Sequence, residues 1–145
     1  MSLQFSVGVE WSGSGRQGAG AVSTGGQRLE YSAPESMGGM GAGSSPEELL
    51  LAAVSSCYSA TLFRILERRN LPALRLEVTA CGYIEDYPQA AHFARIVVHP
   101  TVLGADADRL AEYQDEAVHA RDACFIGRVL RGNVTYDVGE VQTAP

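Results

Sequence analysis

The sequence predicts a single α+β domain in which antiparallel strands pack around one long central helix. Strands come first, followed by a long apolar helix, a strand hairpin, a second helix and a last strand. This order lacks the regular alternation of strands and helices that builds a parallel α/β sheet. The chain of 145 residues is long enough to bury a substantial core, and no repeat or linker divides residues 1–145. We therefore expect one domain over the whole chain.

The N-terminal part predicts an antiparallel meander. Apolar side chains alternate with polar or small ones over residues 5–11, which is the pattern of a strand with one buried face. Residues 19–22 and 28–31 predict two more strands, separated by glycine turns. The turn at residues 13–18 matches the spacing G-x-G-x-x-G, but a dinucleotide site needs a helix there and none is predicted. That turn instead presents Arg16, and a glycine-rich loop follows over residues 32–44.

A capped helix is predicted from Pro46 onwards. Ser45 suits the cap position, Pro46 the first helical position, and Glu48 completes an S-x-x-E capping box. The helix is expected to end near residue 70, because Pro72 disfavours helical geometry in the residue before it. The middle of the helix is apolar on nearly every side, so we expect it to be buried all round, with Cys57 inside.

The rest of the chain predicts a hairpin, a second helix and a closing strand. Alternation over residues 74–81 and an Ile- and Val-rich segment over 93–103 predict two strands joined by a turn at 86–89. Asp106 or Asp108 can cap a helix that runs to about Ala123, and Cys124 lies at or just past its end. Residues 134–138 predict the last strand.

Composition restricts the classes of partner and the compartment. The formal charge of −6 argues against nucleic acid or an anionic membrane as the main partner. No uninterrupted apolar run approaches the roughly 20 residues that span a bilayer, and the N-terminus lacks a signal pattern. We therefore expect a cytoplasmic protein. In a reducing cytosol its cysteines, at positions 57, 81 and 124, are apolar core residues, metal ligands or reactive thiols rather than structural disulfides.

Three motifs resemble those of the osmotically inducible protein C and organic hydroperoxide resistance (OsmC/Ohr) family. The first is Pro46-Glu47-Glu48-Leu49 with Ala52-Ala53 and Cys57, the second is Cys124 with Arg128 and Arg131-Gly132-Asn133, and the third is Gly15-Arg16-Gln17-Gly18. The segment from Pro34 to Gly39 is also similar to the family. The chain departs from the family at Phe125, where a proline is common, and at Arg121, where the organic hydroperoxide branch often has a histidine.

The resemblance implies an OsmC/Ohr-like fold and an intertwined homodimer with two active sites at the subunit interface. It implies a thiol-dependent peroxidase that acts on organic hydroperoxides and needs neither cofactor nor metal. Cys57 would be the peroxidatic cysteine, Cys124 the resolving cysteine that forms a disulfide with it, and Arg16 and Glu47 would tune Cys57. The family also implies a dithiol reductant, of the lipoyl type.

The residues themselves set requirements for this chemistry. A peroxidatic cysteine must be a thiolate, and Cys57 lies eleven residues past Pro46, beyond the reach of the helix dipole. A cation must therefore come from elsewhere. Arg16 is the best candidate, and Arg64 is the rival, about 10 Å along the same helix. Cys124 follows a helix whose exposed carbonyls raise a thiol pKa, which suits a resolving role.

An arginine in an apolar site needs a carboxylate to hold it, and Glu47 is the candidate. Glu47 precedes Cys57 by ten residues, about 15 Å along the helix, so it is not beside the Cys57 of its own chain. Two antiparallel copies of the helix would bring Glu47 of one chain to Cys57 of the other. This geometry is an independent reason to expect a homodimer.

Three other hypotheses remain open at the level of sequence. Cys57, Cys124 and one histidine among His92, His99 and His119 could form a metal site, although no ligand pair has the short spacing of structural zinc sites. The same fold could bind an apolar ligand without catalysis, or its thiols could exchange disulfides. The deciding observation is whether Cys57 and Cys124 lie within disulfide reach, with an arginine at the Cys57 sulfur. Cys81 has no partner pattern and is expected to be structural.

Overall fold

The computed structural model describes all 145 residues, and the chain divides into two compact units, Met1–Leu50 and Leu51–Pro145. The first unit contains a three-stranded sheet and a glycine-rich loop. The second contains a four-stranded sheet with its helices. The long helix α1 (Pro46–Arg68) begins at the end of the first unit and belongs mainly to the second.

The first unit is the predicted antiparallel meander. Its strands are β1 (Gly8–Ser12), β2 (Ala19–Thr24) and β3 (Gln27–Ser32), hydrogen-bonded in that order. The first strand begins at Gly8, three residues later than predicted. The face expected to be half-buried stays open to solvent, with Val9 58% and Trp11 45% exposed. That expectation was wrong for the isolated chain, because the rest of the chain does not cover this face.

The glycine-rich loop closes onto the end of β3. The Ser32 hydroxyl donates to the carbonyl of Ala42 at 2.9 Å and accepts from the Ala42 amide at 2.8 Å. Glycine is required at position 39, where a Cβ would lie 2.2 Å from the carbonyl oxygen of Ala33. Gly39 therefore allows the loop to pass close to its own backbone at Ala33.

Helix α1 begins at its predicted cap. The Ser45 hydroxyl donates to Glu48 Oε1 at 2.9 Å, and the Glu48 amide donates to Ser45 Oγ at 3.2 Å. Its end is also near the predicted position, since Asn70 adopts a left-handed φ of 53° just after Arg68. The chain buries one face of α1, made by Val54, Tyr58, Thr61, Leu62 and Leu66.

The opposite face of α1 is exposed, including Ala52, Ala53, Ser56 and Ala60. Only 28% of the most apolar 18-residue window of the helix is buried. The prediction that α1 is buried all round was therefore wrong for a single chain, which covers one side only. By length and composition alone α1 could cross a bilayer, a property that the core helices of soluble proteins share.

The second unit is built on a mixed sheet. Strands β4 (Arg75–Glu85) and β5 (His92–Leu103) form the predicted antiparallel hairpin. Strands β6 (Thr135–Val138) and β7 (Gln142–Ala144) pair with β5 in parallel. The expectation of purely antiparallel sheets was therefore wrong. From β5 the chain passes through α2 (Leu110–Ala123) and α3 (Phe125–Arg128) before it reaches β6. A helical crossover of this length allows β6 to run parallel to β5.

The core of the second unit joins α1, α2 and β5. Its centre is formed by Tyr58, Leu62, Leu66, Val98, Val102, Tyr113, Ala117, Ala120 and Val141. The Tyr58 hydroxyl donates to the Ala117 carbonyl at 2.9 Å, which links α1 directly to α2. This packing places the middle of α1 beside the C-terminal part of α2.

Candidate active site

Two thiols that are far apart in sequence meet where α1 packs on α2. Cys57 is half-buried on α1, one residue before the tyrosine that bonds to α2. Cys124 is fully buried at the junction between α2 and α3. Both cysteines are free, and they lie close enough for Cys57 to raise the pKa of the Cys124 thiol. The structure thus brings together the two cysteines that the motifs singled out.

The surroundings of Cys124 stabilise the protonated thiol. Burial raises the pKa of Cys124, and the neighbouring Cys57 thiol raises it further. The backbone amides of Gly127 and Ile126, in the short helix that begins after Cys124, act in the opposite direction. The predicted direction was right, but its main cause is burial rather than the carbonyls at the end of α2.

Two tyrosines complete the group around the thiols. Burial raises the pKa of Tyr136, and the charges of Cys124 and then Cys57 raise it further. Burial also raises the pKa of Tyr58, followed by the effect of Tyr136. The Tyr136 hydroxyl oxygen is buried and has no hydrogen-bond partner, whereas that of Tyr58 is satisfied by Ala117.

A cleft of about 220 Å³ lies against Tyr136. Arginines at positions 121, 128 and 131 line it, and the last two belong to the second motif. Arg121 is paired with Asp122 at 3.1 Å, and its charge partly opposes the raised pKa values of Tyr58 and Tyr136. The approach to the Tyr136 side of the site is therefore cationic rather than apolar.

Arg16 and Glu47 lie in the first unit. Arg16 is exposed on a short turn, Gly15–Gln17, and its side chain lies over Gly38, where a Cβ would be 3.1 Å from Arg16 Cδ. Glu47 is half-buried at the start of α1, and its Oε2 atom is buried without a hydrogen-bond partner. No ion pair or hydrogen bond joins the two residues within the chain.

The other candidate residues lie outside the thiol pair. Cys81 is half-buried on β4 opposite Val97, and Arg64 is exposed on α1. His119 pairs with Glu116 at 3.2 Å. No group of three or more His, Cys, Asp and Glu side chains comes together in a way that could hold a metal ion.

Sequence reasoning did not assign Tyr136 and Arg121 to the site. Val134, Tyr136 and Val138 are two residues apart along the last strand, so the pattern predicts that they share one face. The pattern does not predict which residues pack against that face. In the sequence, Arg121 stands out because it replaces a histidine of the family pattern. Its position three residues before Cys124, close to one helical turn, indicates that the two side chains lie on the same side of α2.

The fold and the paired cysteines define a two-cysteine thiol protein. The chain belongs to the OsmC-like protein family, whose sequence profile matches residues 39–139. This match confirms the family that the motifs suggested.

The chain is also similar to individual proteins in sequence or in fold. The chain is 29% identical over 133 residues to the uncharacterized protein YmaD of Bacillus subtilis strain 168, covering 90% of this chain and 88% of that protein. Its fold is similar to that of an organic hydroperoxide resistance protein OsmC from Legionella pneumophila, with a TM-score of 0.74, 19% identity, and coverage of 99% and 100%. The organic hydroperoxide resistance protein OhrB of Bacillus subtilis matches with a TM-score of 0.65, 23% identity, and coverage of 95% and 98%.

Proposed function

We propose that this chain is a thiol peroxidase that reduces organic hydroperoxides through Cys57 and Cys124. The proximity of the two free thiols, close enough for Cys57 to raise the pKa of Cys124, is the observation that supports the proposal, because neighbouring sulfurs can form a disulfide once one of them is oxidised. The names of the Legionella and Bacillus relatives, which are hydroperoxide resistance proteins, support the substrate class.

The reaction has two steps at sulfur. The Cys57 thiolate attacks the terminal oxygen of the hydroperoxide, so an S–O bond forms, the O–O bond breaks and an alcohol leaves after gaining a proton. Sulfur loses two electrons and the peroxide gains them. The Cys124 thiolate then attacks the Cys57 sulfenic acid and expels hydroxide, which leaves a Cys57–Cys124 disulfide. A dithiol of the lipoyl type restores both thiols by exchange.

The assignment of roles follows from the burial of the two thiols and the raised pKa of Cys124. Burial and the neighbouring Cys57 thiol raise the pKa of Cys124, so it is a poor first nucleophile. Cys57 is less buried and lies on α1, whose exposed face borders solvent. Cys57 is therefore the peroxidatic residue and Cys124 the resolving one.

The complete catalyst is a cytoplasmic homodimer whose single-domain chains intertwine. The uncovered apolar side of α1 and the open face of the first sheet supply apolar surface for a second copy. In this dimer Arg16 and Glu47 of one chain serve Cys57 and Cys124 of the other. The buried Oε2 of Glu47, which has no hydrogen-bond partner in the single chain, then pairs with Arg16 of its own chain and holds the guanidinium at the Cys57 of the other chain.

One experiment tests the activity and the roles together. Cys57→Ser abolishes consumption of cumene hydroperoxide in the presence of a dithiol, whereas Cys124→Ser still consumes about one equivalent and leaves Cys57 as sulfenic and then sulfinic acid. Cys81→Ser is the matched control, because Cys81 is also a half-buried free thiol, and it retains activity. Full activity in Cys57→Ser would refute the proposal. Oxidised sulfur on Cys124 in that variant, found by mass spectrometry, would reverse the roles.

Thiol–disulfide exchange without peroxide chemistry is the second candidate. The same pair of neighbouring thiols could accept electrons from one dithiol and pass them to a disulfide substrate. Reduction of insulin disulfides at a rate above that of hydroperoxide consumption would favour it.

A further inference from the structure

Tyr136 carries a buried hydroxyl that the chain leaves without a hydrogen-bond partner. It lies in β6 in register with Ile96 of β5, and its ring packs on the backbone of Gly127, where a Cβ would lie 2.6 Å from Tyr136 Cε2. An unpaired polar group inside a protein is destabilising, and most such groups find a partner. The neighbouring Tyr58 has one, since it donates to the Ala117 carbonyl. The contrast indicates that the Tyr136 hydroxyl serves the reaction rather than the resting fold.

The packing of the Tyr136 ring brings this hydroxyl to the neighbourhood of the cysteine pair. Gly127, on which the ring packs, lies three residues after Cys124 in the short helix that begins there. The charges of Cys124 and Cys57 both act on Tyr136 and, after burial, raise its pKa. Tyr136 is thus a neutral O–H donor near enough to both thiols for their charges to act on it, with Arg121 as a nearby cation.

The first step of the proposed reaction requires such a donor. Breaking the O–O bond of an alkyl hydroperoxide releases an alkoxide, a base similar to hydroxide, whose conjugate acid water has a pKa of about 15.7. The Cys57 thiolate has no proton to give. Even a tyrosine with a raised pKa is a stronger acid than the alcohol, so proton transfer to the alkoxide is downhill.

We propose, on the basis of the peroxidase function above, that the Tyr136 hydroxyl is the proton donor to the leaving alkoxide. As the O–O bond breaks, the Tyr136 O–H bond breaks as well and the alcohol leaves. The tyrosinate then takes the proton of Cys124, which becomes the thiolate that attacks the Cys57 sulfenic acid and expels hydroxide. One thiolate, one thiol and one hydroperoxide become a disulfide, an alcohol and a hydroxide, and Tyr136 is regenerated.

Tyr136→Phe tests this role by removing the hydroxyl and keeping the ring on Gly127. The test compares kcat/KM for tert-butyl hydroperoxide and for peroxyacetic acid, whose leaving acetate is a weak base that needs no proton. We expect a loss of about 100-fold with the alkyl hydroperoxide and less than about threefold with the peracid. Tyr58→Phe is the matched control, because it also removes a buried hydroxyl, and it keeps the wild-type ratio of the two values.

The other outcomes each overturn the inference in a distinct way. An equal loss with both substrates shows a structural effect, and no loss with either shows that Tyr136 gives no proton. A thermal midpoint of Tyr136→Phe well below the wild type shows that the hydroxyl has a structural partner. A wild-type chain that consumes neither substrate refutes the proposed function itself, and this inference with it.

Discussion

Cys124 holds its proton because it is buried beside another sulfur, and this has a consequence for stability. An ordinary thiol loses its proton around its reference pKa of 9.0, whereas folding raises the pKa of Cys124. Between the unfolded and the higher folded value the unfolded chain is deprotonated while the folded chain keeps its proton. The folded state then binds more protons, so stability falls as pH rises through this window.

We therefore expect the free energy of unfolding of the reduced protein to fall between about pH 8 and pH 10. In Cys124→Ala the free energy of unfolding falls less steeply with pH over this range, whatever the effect of the substitution on stability at neutral pH. Urea unfolding under a reducing agent at several pH values measures the slope. The measurements stay below pH 10 because the pKa values of Tyr58 and Tyr136 are also raised. Above pH 10 these tyrosines add their own change of unfolding free energy with pH. An identical slope in wild type and variant would contradict the prediction.

At this scale the sequence predicted which cysteines meet but not what surrounds them. Motif spacing singled out Cys57 and Cys124, and local capping rules assigned Glu48 to the start of α1. The neighbourhood of Tyr136 depends on the parallel pairing of β6 with β5 and on the approach of its ring to Gly127. Both are contacts between distant segments, which periodicity in one segment cannot specify.

Among the elements, the single helix α1 carries both Cys57, the proposed peroxidatic cysteine, and Glu47 of the proposed site. Its cap fixes the start of that helix, because the Ser45 hydroxyl both accepts from the Glu48 amide and donates to the Glu48 carboxylate. Glu47 lies between these two residues, so its direction depends on the same turn.

Ser45→Ala tests the cap. The variant loses both hydrogen bonds, and we expect unfolding to become easier by about 1 kcal/mol. Chemical denaturation measures the change, and Ser44→Ala is the control, since the hydrogen bonds of Ser44 in the loop are made by its backbone. Equal stabilities for the two variants would show that the cap contributes little.

Sequence patterns predicted the elements better than their pairing. The helix start, the meander and the β4–β5 hairpin follow from local capping and alternation. The last strand, β6, was predicted over residues 134–138, but its parallel direction was not, because strand direction depends on how the chain crosses over after β5. The strand β7 and the short helix α3 were missed. The short elements also carry too few residues for a periodic signal.

At the scale of the whole molecule, the single chain leaves apolar surface uncovered on two elements. The exposed side of α1 and the β1 face with Val9 and Trp11 each expose several neighbouring apolar side chains. Monomers usually expose such side chains singly. In the proposed homodimer, the partner would cover the β1 face whose burial the alternation predicted. An obligate homodimer that buries more than about 2,000 Å² would account for both surfaces.

Complementation between inactive subunits tests whether the sites are shared. If Arg16 and Glu47 of one chain serve Cys57 and Cys124 of the other, Cys57→Ser and Arg16→Ala subunits are each inactive alone but form one intact site when paired. Co-refolding equal amounts gives half heterodimers, so we expect about a quarter of wild-type peroxidase activity.

The control mixes Cys57→Ser with Cys124→Ala, because both lesions then fall in the thiol pair of a single chain and no heterodimer site is complete. Differently tagged subunits confirm by mass that heterodimers form. Recovery of peroxidase activity in the first mixture, with no recovery in the second, supports active sites that are shared between the two chains. If the first mixture stays inactive although heterodimers are present, Arg16 acts on the Cys57 of its own chain, and the glutamate that holds it must be sought within one subunit.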